Sequence, residues 1–581
     1  MAKPAAPLRS LASVGAGLRA AFAAGYGVSD FRKDLLAGLT IGVVAIPLAM
    51  ALAVATGVPP QYGLYSAIVA GIVIALSGGS RFNVSGPTAA FVVILLPIVQ
   101  QHGLGGLLVA TFMAGAILVA MGMARMGGLL QFVPYPVVLG FTAGIGVVIA
   151  TLQLPDLLGL AIPGGSAHYA DKVSAIVLAL PRIDLHEFGI GLLTLALIIL
   201  WPRLRTPIPA PLAALVLVSA VAWAINGASD GVLIDTIASR FSWESGQQAG
   251  QGIPPMGPGF VLPWRLPDAD GLPLQLSFDL FQVLLGPAIA IAILAAIESL
   301  LCGVIADGLT RTRHDPNAEL IGQGLGNMVA PFFGGITATA AIARTATNIR
   351  SGARSPVAAI VHSLVVLGAV LGMAGLLGQV PMAALAALLI TIAWHMSEPR
   401  LFLRTLRSAQ RGDVVVLLTC FGLTVLFDMV IAVAVGIGLA AALFIHRMSL
   451  LTHAQRLDGE ARPAAAGFPA EVVVYDVNGP LFFAAAEKAV ASLRIVDPGV
   501  RVVVLDMNDV PSMDHTAVVA VQGLVDEMHR QGVALVFAGL APRMVLKLLR
   551  AGVRRVRGRL TFCRSMEQAA QVAVDWHRSV Q

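Results

Sequence analysis

Apolar stretches close to the roughly 20 residues needed to cross a hydrocarbon layer recur from Leu35 to His446, separated by short polar or basic turns. The pattern predicts about fourteen spans, at 35–57, 62–79, 86–101, 105–124, 134–154, 186–201, 208–226, 278–306, 317–331, 339–350, 356–378, 381–396, 413–427 and 429–446. Two of them open on matching interruptions, Asn83-Val84-Ser85-Gly86-Pro87-Thr88-Ala89-Ala90 and Gly334-Gly335-Ile336-Thr337-Ala338-Thr339-Ala340-Ala341, the second followed by Arg344. Each reads as a few extended residues and then a helix that begins inside the membrane. A helix start at that depth aims free N–H groups and a partial positive charge inward, which suits an anion. Paired breaks in corresponding halves point to a transporter binding site.

Past Ala461–Pro469 the pattern changes to strands alternating with helices: 471–477, a helix at 484–496, the buried run Val500–Asp506, a helix near 515–531 and the strand Ala534–Ala538. That alternation predicts a small α/β domain whose sheet is covered by helices.

Composition narrows the class. Of 581 residues, 57% are hydrophobic and only 12% charged, and the mean hydropathy is +0.83. A soluble chain could not cover its surface with so few charges, so most of this one faces lipid. The net charge of +6 points to topology rather than nucleic acid, because its placement is one-sided. Arg32, Lys33, Arg81, Arg125, Arg203, Arg205, Arg311, Arg313, Arg350, Arg354 and the run Arg400, Arg404, Arg407 and Arg411 fall on one side. Lys172, Arg182, Arg240 and Arg265, among many acids, fall on the other. The positive-inside rule then puts both termini in the cytoplasm and the loop 227–277 in the periplasm. Cys302, Cys420 and Cys563 share no ligand spacing and suggest neither metal nor disulfide framework. No cleavable signal peptide, Walker motif, nucleophile–base cluster or cofactor loop is evident, so an enzyme is not expected. Gly322-Gln323-Gly324-Leu325-Gly326 follows no strand and reads as helix packing, Asn83-Val84-Ser85 as part of the first break rather than a glycan acceptor, and Arg311–His314 as a loop.

Glu298 sits inside a long apolar run, where a carboxylate costs at least about 2–3 kcal/mol. It either packs hydrogen-bonded against a neighbouring helix or serves as a coupling-ion site, and the second reading is preferred. Arg344 keeps its charge and offers a fork of donors suited to carboxylate, so it either neutralises a substrate anion or pairs with Glu298. Thr88, Ala89, Thr339, Ala340 and Ala341 are small residues at the two helix starts, where a ligand can approach backbone N–H groups; small residues also serve helix packing.

These residues, together with Ala45–Ala53, Pro59–Ser66, Gly79–Arg81, Gly86–Thr88, Glu319–Gly324 and the Arg344 half-helix, resemble the SulP/SLC26 anion transporter family over nearly the whole chain. The C-terminal part resembles a STAS domain, with Asp514, His515 and Thr516 at the usual switch loop. The resemblance implies an α-helical polytopic membrane protein with about fourteen segments in a seven-plus-seven inverted repeat of core and gate domains. By position it places site residues at Leu48 and Leu52 in the first helix, Thr88 and Ala89 in the third, Ala341 and Arg344 in the tenth, and a proton-coupling carboxylate at Glu298 in the eighth. It implies a small anionic substrate and protons, no metal or other cofactor, a homodimer in the bacterial inner membrane, and a cytoplasmic protein partner for the STAS domain.

The expected division is a cytoplasmic N-terminus at 1–34, a transporter domain at 35–447, a linker at 448–468 and a cytoplasmic STAS domain at 469–581. Sodium-coupled bicarbonate relatives resemble this chain but carry Asp at Glu298 and Thr at Cys302 and Ile342. A hard cation wants oxygen ligands, so proton coupling is preferred. In the STAS loop, His515 stands where relatives carry a phosphorylated Ser. Ile297–Asp307, Gly322–Asn348, Met396–Glu398 and Leu423–Val435 are most similar to the bacterial C4-dicarboxylate branch. Proton-coupled uptake of dicarboxylates such as succinate is therefore expected, with sulfate or bicarbonate transport as the alternative and a membrane-anchored STAS sensor or scaffold as the reading from another class.

Overall fold

The computed structural model describes residues 14–579 apart from 131–132, 163–168, 207, 230, 246–247, 428, 452, 458–468, 483–485, 488–496 and 498. The chain divides into two compact units, Met1–Ile437 and Gly438–Gln581.

Among the described residues, ten helices are long and apolar enough to cross a membrane. One of them, Ala89–Met123, is far longer than a bilayer requires. Gly103 breaks it with a backbone no helix contains (φ 62, ψ −167), at the boundary the hydropathy placed between 86–101 and 105–124. Three shorter helices, Pro316–Val329, Ile342–Arg350 and Arg411–Leu426, complete the sequence-predicted order. The first span starts earlier than expected, at Val28, because its first two turns are charged: Asp30 accepts from the N–H of Gly27 at 3.3 Å and closes the helix start. The buried Asp34 of the same helix accepts from the N–H groups of Arg354 (2.6 Å) and Ser355 (3.2 Å) and from the Ser355 hydroxyl (2.5 Å), holding the entry to Val357–Gly378.

Close packing rests on small residues. In Pro316–Val329, a methyl group at Gly322 would lie 2.5 Å from the Gly78 Cα, one at Gly324 2.6 Å from the Gly115 carbonyl, and one at Gly326 2.4 Å from Ile74. The Gly-Gln-Gly-Leu-Gly run is thus a helix-packing surface, as its apolar setting predicts.

The second unit contains a five-stranded sheet in the order His453–Leu457, Val472–Asn478, Val502–Asp506, Ala534–Ala538, Leu560–Cys563. The first pair is antiparallel and the others parallel. The central strands read as nearly unbroken Val/Leu/Ala runs because both faces are covered. Val473, Val503, Leu505, Leu535 and Phe537 pack toward residues of His515–Arg530 and Pro542–Arg550, while Val472, Val474, Val504 and Val536 pack toward Met566–Ser579. One boundary is corrected: His453–Leu457, inside the segment assigned to the linker, is the edge strand of this sheet, its five residues paired with Val474–Asn478. Apart from Ala486 and Glu487, the helix expected at 484–496 lies outside the described residues.

Candidate functional site

The two interruptions meet. Ser85–Gly86 and Thr339–Ala340 form a two-residue antiparallel ladder, Ser85 opposite Ala340 and Gly86 opposite Thr339, extended by the Ala341 N–H donating to the Val84 carbonyl at 3.1 Å. Extended backbone at membrane depth is tolerated only when its polar groups are satisfied by protein, and each break satisfies the other. Side chains complete the accounting. Thr345 Oγ1 accepts from the Val84 N–H (3.0 Å), Asn348 donates to the Phe82 carbonyl (2.9 Å), and Thr339 donates to the Ala295 carbonyl (3.1 Å).

The ninth span acts as a clamp on both breaks. Glu319, Gln323 and Asn327, four residues apart and fully buried, present one polar stripe. The Glu319 carboxylate accepts from the N–H groups of Gly79 and Ser80 (2.9 Å each), Asn83 Nδ2 (2.7 Å) and Gln323 Nε2 (3.1 Å). Gln323 also donates to Ser85 Oγ (3.0 Å), and Asn327 both donates to the Ala338 carbonyl and accepts from the Ala338 N–H, at 2.8 Å. Glu319→Ala would orphan two buried backbone donors; a loss of about 2–6 kcal/mol of stability is expected. Thermal unfolding of the detergent-purified protein checks it, and an unchanged midpoint would remove the clamp from the account.

The helix starts follow directly. Thr88 is the extended residue before the 3-10 turn Ala89–Phe91 that leads into Val92–Met123, and Ala341 is the extended residue before Ile342–Arg350. The first N–H groups of such helices have no partner in their own helix. Arg344 lies in the first turn of the second, 3% exposed. Its Nη2 donates to the Pro87 carbonyl, while Nε and Nη1, both buried, have no hydrogen-bond partner among the described residues. Glu298, partly exposed on Phe278–Thr310, accepts from Thr88 Oγ1 at 3.0 Å. Among the described residues Arg344 and Glu298 form no ion pair, so consecutive residues of the first break, Pro87 and Thr88, hold the cation and the carboxyl separately. Thr88, Ala89, Thr339 and Ala340 are buried, and Ala341 is partly exposed. Leu48 (partly exposed) and Leu52 (buried) lie on Val28–Ala55, which packs against Ile342–Arg350 and offers apolar surface.

Gly86 was not among the expected site residues. A methyl group there would sit 2.6 Å from Arg344 Nη1, so the guanidinium lies against bare backbone. Gly86→Ala must displace it; the atom in the way is the far end of a flexible side chain, so the fold is little affected, while misaiming a charge-assisted hydrogen bond costs anion binding about 1 kcal/mol or more. A five-fold or larger loss of anion affinity with an unchanged melting temperature is expected in a binding titration, and unaltered affinity would show that the guanidinium's place is not set by Gly86. The usable signal for the clamp was polar residues at four-residue spacing in an apolar run; nothing in the sequence marked Gly86 or Pro87 as guanidinium neighbours.

In the second unit Asp514 caps His515–Arg530, its Oδ1 accepting from the Ala517 N–H at 2.7 Å. His515 is exposed, Thr516 is partly buried, and Lys547 Nζ donates to the neighbouring Met513 carbonyl at 2.8 Å.

Half-helices that meet around a buried guanidinium with free donors, among ten described helices long and apolar enough to cross a membrane, fit a multi-pass membrane carrier for anions. Comparison places it: the sulfate permease family matches residues 31–420 and the STAS domain 465–569, and the chain belongs to that family. YvdB of Bacillus subtilis (strain 168), whose name proposes sulfate as its cargo, is 38% identical over 93% of this chain and 97% of its own. The bicarbonate transporter BicA of Picosynechococcus sp. (strain ATCC 27264 / PCC 7002 / PR-6) is 30% identical over 89% of this chain and 91% of its own. The fold is that of SLC26A9, with a TM-score of 0.82 at 19% identity, covering 99% of this chain and 95% of that one. The protein is an anion transporter and not an enzyme.

Proposed function

We propose that this chain carries small dicarboxylates such as succinate into the cell together with protons, by alternating exposure of the site between the two breaks. The observation that carries the reading is Arg344: a buried guanidinium whose Nε and Nη1 have no partner among the described residues suits a carboxylate, which it can meet with charge-assisted hydrogen bonds. Glu298, held by Thr88 rather than by Arg344, is the titratable group beside it and takes the coupling proton. Support against sodium comes from the two positions where sodium-coupled relatives carry Thr. Cys302 is buried and its thiol donates to Thr345 Oγ1 at 3.1 Å, and Ile342 is an exposed apolar side chain, so neither offers a free oxygen. The choice of four-carbon substrates follows the runs that resemble the dicarboxylate branch.

In the same reading both termini are cytoplasmic, the membrane is the bacterial inner membrane, the carrier is a homodimer, and the STAS loop Asp514–Thr516 meets a cytoplasmic protein. Sulfate or bicarbonate is the second reading, favoured by the names of the relatives. Uptake into proteoliposomes separates them. A pH gradient should drive labelled succinate uptake without sodium, excess unlabelled succinate should suppress it, and sulfate should not. Sodium dependence, or competition by sulfate alone, would overturn the proposal.

A further inference from the structure

The twelfth span does not run directly into the thirteenth. Met382–Ser397 ends at Glu398, whose backbone is left-handed (φ 39, ψ 56), and a separate helix, Pro399–Ser408, follows before Arg411–Leu426 begins. None of its residues is buried. Arg400, Arg404 and Arg407 recur at i, i+4 and i+7, within about 60° of one another around the helix. All three are exposed, and among the described residues none of them is in an ion pair. No acidic residue stands between Glu398 and Asp413.

Phe402 and Leu406 lie on the opposite side, partly buried, with the Phe402 ring 5.2 Å from that of Phe421 on the next span. The helix packs beside the start of Tyr135–Leu152. Tyr135 there and Trp394 on the preceding span are exposed, as aromatic residues are where hydrocarbon gives way to headgroups. The helix is therefore tethered to neighbouring spans, with Phe402 and Leu406 turned toward the protein.

We infer that Arg400, Arg404 and Arg407 form a binding site for the phosphate groups of acidic phospholipids. A short helix tied between two spans, apolar on one side and cationic on the other, lies in the interfacial plane, and its guanidinium forks match phosphodiester oxygens. The three cations extend over about 10 Å of helix, room for more than one headgroup. Charge complementarity favours phosphatidylglycerol over zwitterionic lipid, an attraction that scales with each arginine near the surface. The site stands apart from Arg344 and Glu298 and does not depend on which anion is carried.

The test uses the full chain in nanodiscs made from equal amounts of phosphatidylglycerol and phosphatidylcholine, with the lipid that stays bound on mild detergent extraction measured by mass spectrometry. Wild-type protein should retain phosphatidylglycerol in excess. The triple variant R400Q/R404Q/R407Q should lose that excess, R404Q alone should lose part of it, by up to about fivefold, and the Lys triple variant, which keeps the topology-setting charge, should keep most of it. Equal retention by the Gln triple variant and wild type, or loss of an acidic protein instead of lipid, would overturn the assignment.

Discussion

Arg344→Gln is expected to weaken binding of the transported anion by two orders of magnitude or more while leaving the protein folded. Removing one partner from a buried charge contact costs about 2–5 kcal/mol, and every 1.4 kcal/mol is about a factor of ten. The local geometry argues for the upper part of that range. The guanidinium spends one nitrogen on Pro87 and leaves Nε and Nη1 unmatched among the described residues in a buried place, so the ligand supplies acceptors those groups otherwise lack there. Gln preserves a donor toward Pro87 but not the charge. Arg344→Lys should recover part of the affinity, because the charge returns without the fork. Calorimetric or radioligand titration of the purified variants decides it. Unchanged affinity in Arg344→Gln would move the anion's charge contact to another residue.

The second large effect concerns energy coupling rather than affinity. Gln at 298 imitates the protonated carboxyl permanently and can still accept from Thr88, so the site should assemble and bind. What it cannot do is pick up a proton on one side and release it on the other. With one proton coupled and the membrane potential clamped at zero, a gradient of one pH unit supports about tenfold accumulation, since one unit is about 1.4 kcal/mol. Glu298→Gln should reduce that ratio to about one while counterflow exchange of succinate persists. A variant that still concentrates substrate would show that Glu298 is not the coupling group. Without coupled protons, inward movement of a dianion would work against about 2.3 kcal/mol per charge per 100 mV.

The sequence made both breaks visible because Gly, Pro and short hydroxyl residues interrupt runs that are otherwise uniformly apolar. It also placed the division at Gly103 and the strands Val502–Asp506 and Ala534–Ala538 nearly to the residue. The pairing of the breaks with each other was beyond local pattern, since it joins Val84 to Thr345 across the full width of the transporter repeat. Glu319 was noticed only as part of a familiar run. Its role depends on two N–H groups, at Gly79 and Ser80, that carry no side-chain signature. The Pro399–Ser408 helix shows in the sequence only as a basic run on one side of the membrane, because ten residues fall short of any hydropathy window. The edge strand His453–Leu457 was mistaken for linker because an edge strand with His, Gln and Arg has no apolar alternation to detect.

The ladder between the breaks has a consequence for biogenesis. Val84 and Thr345 are separated by 261 residues. At synthesis rates of about 5–20 residues per second, the first break leaves the ribosome roughly 13–50 s before the strand that satisfies its backbone exists. During that interval unpaired peptide groups must wait at the translocon or in a water-lined vestibule rather than in lipid. The nascent chain therefore passes through a vulnerable window, and slowing translation between Ser85 and Thr339 would expose it longer to membrane proteases.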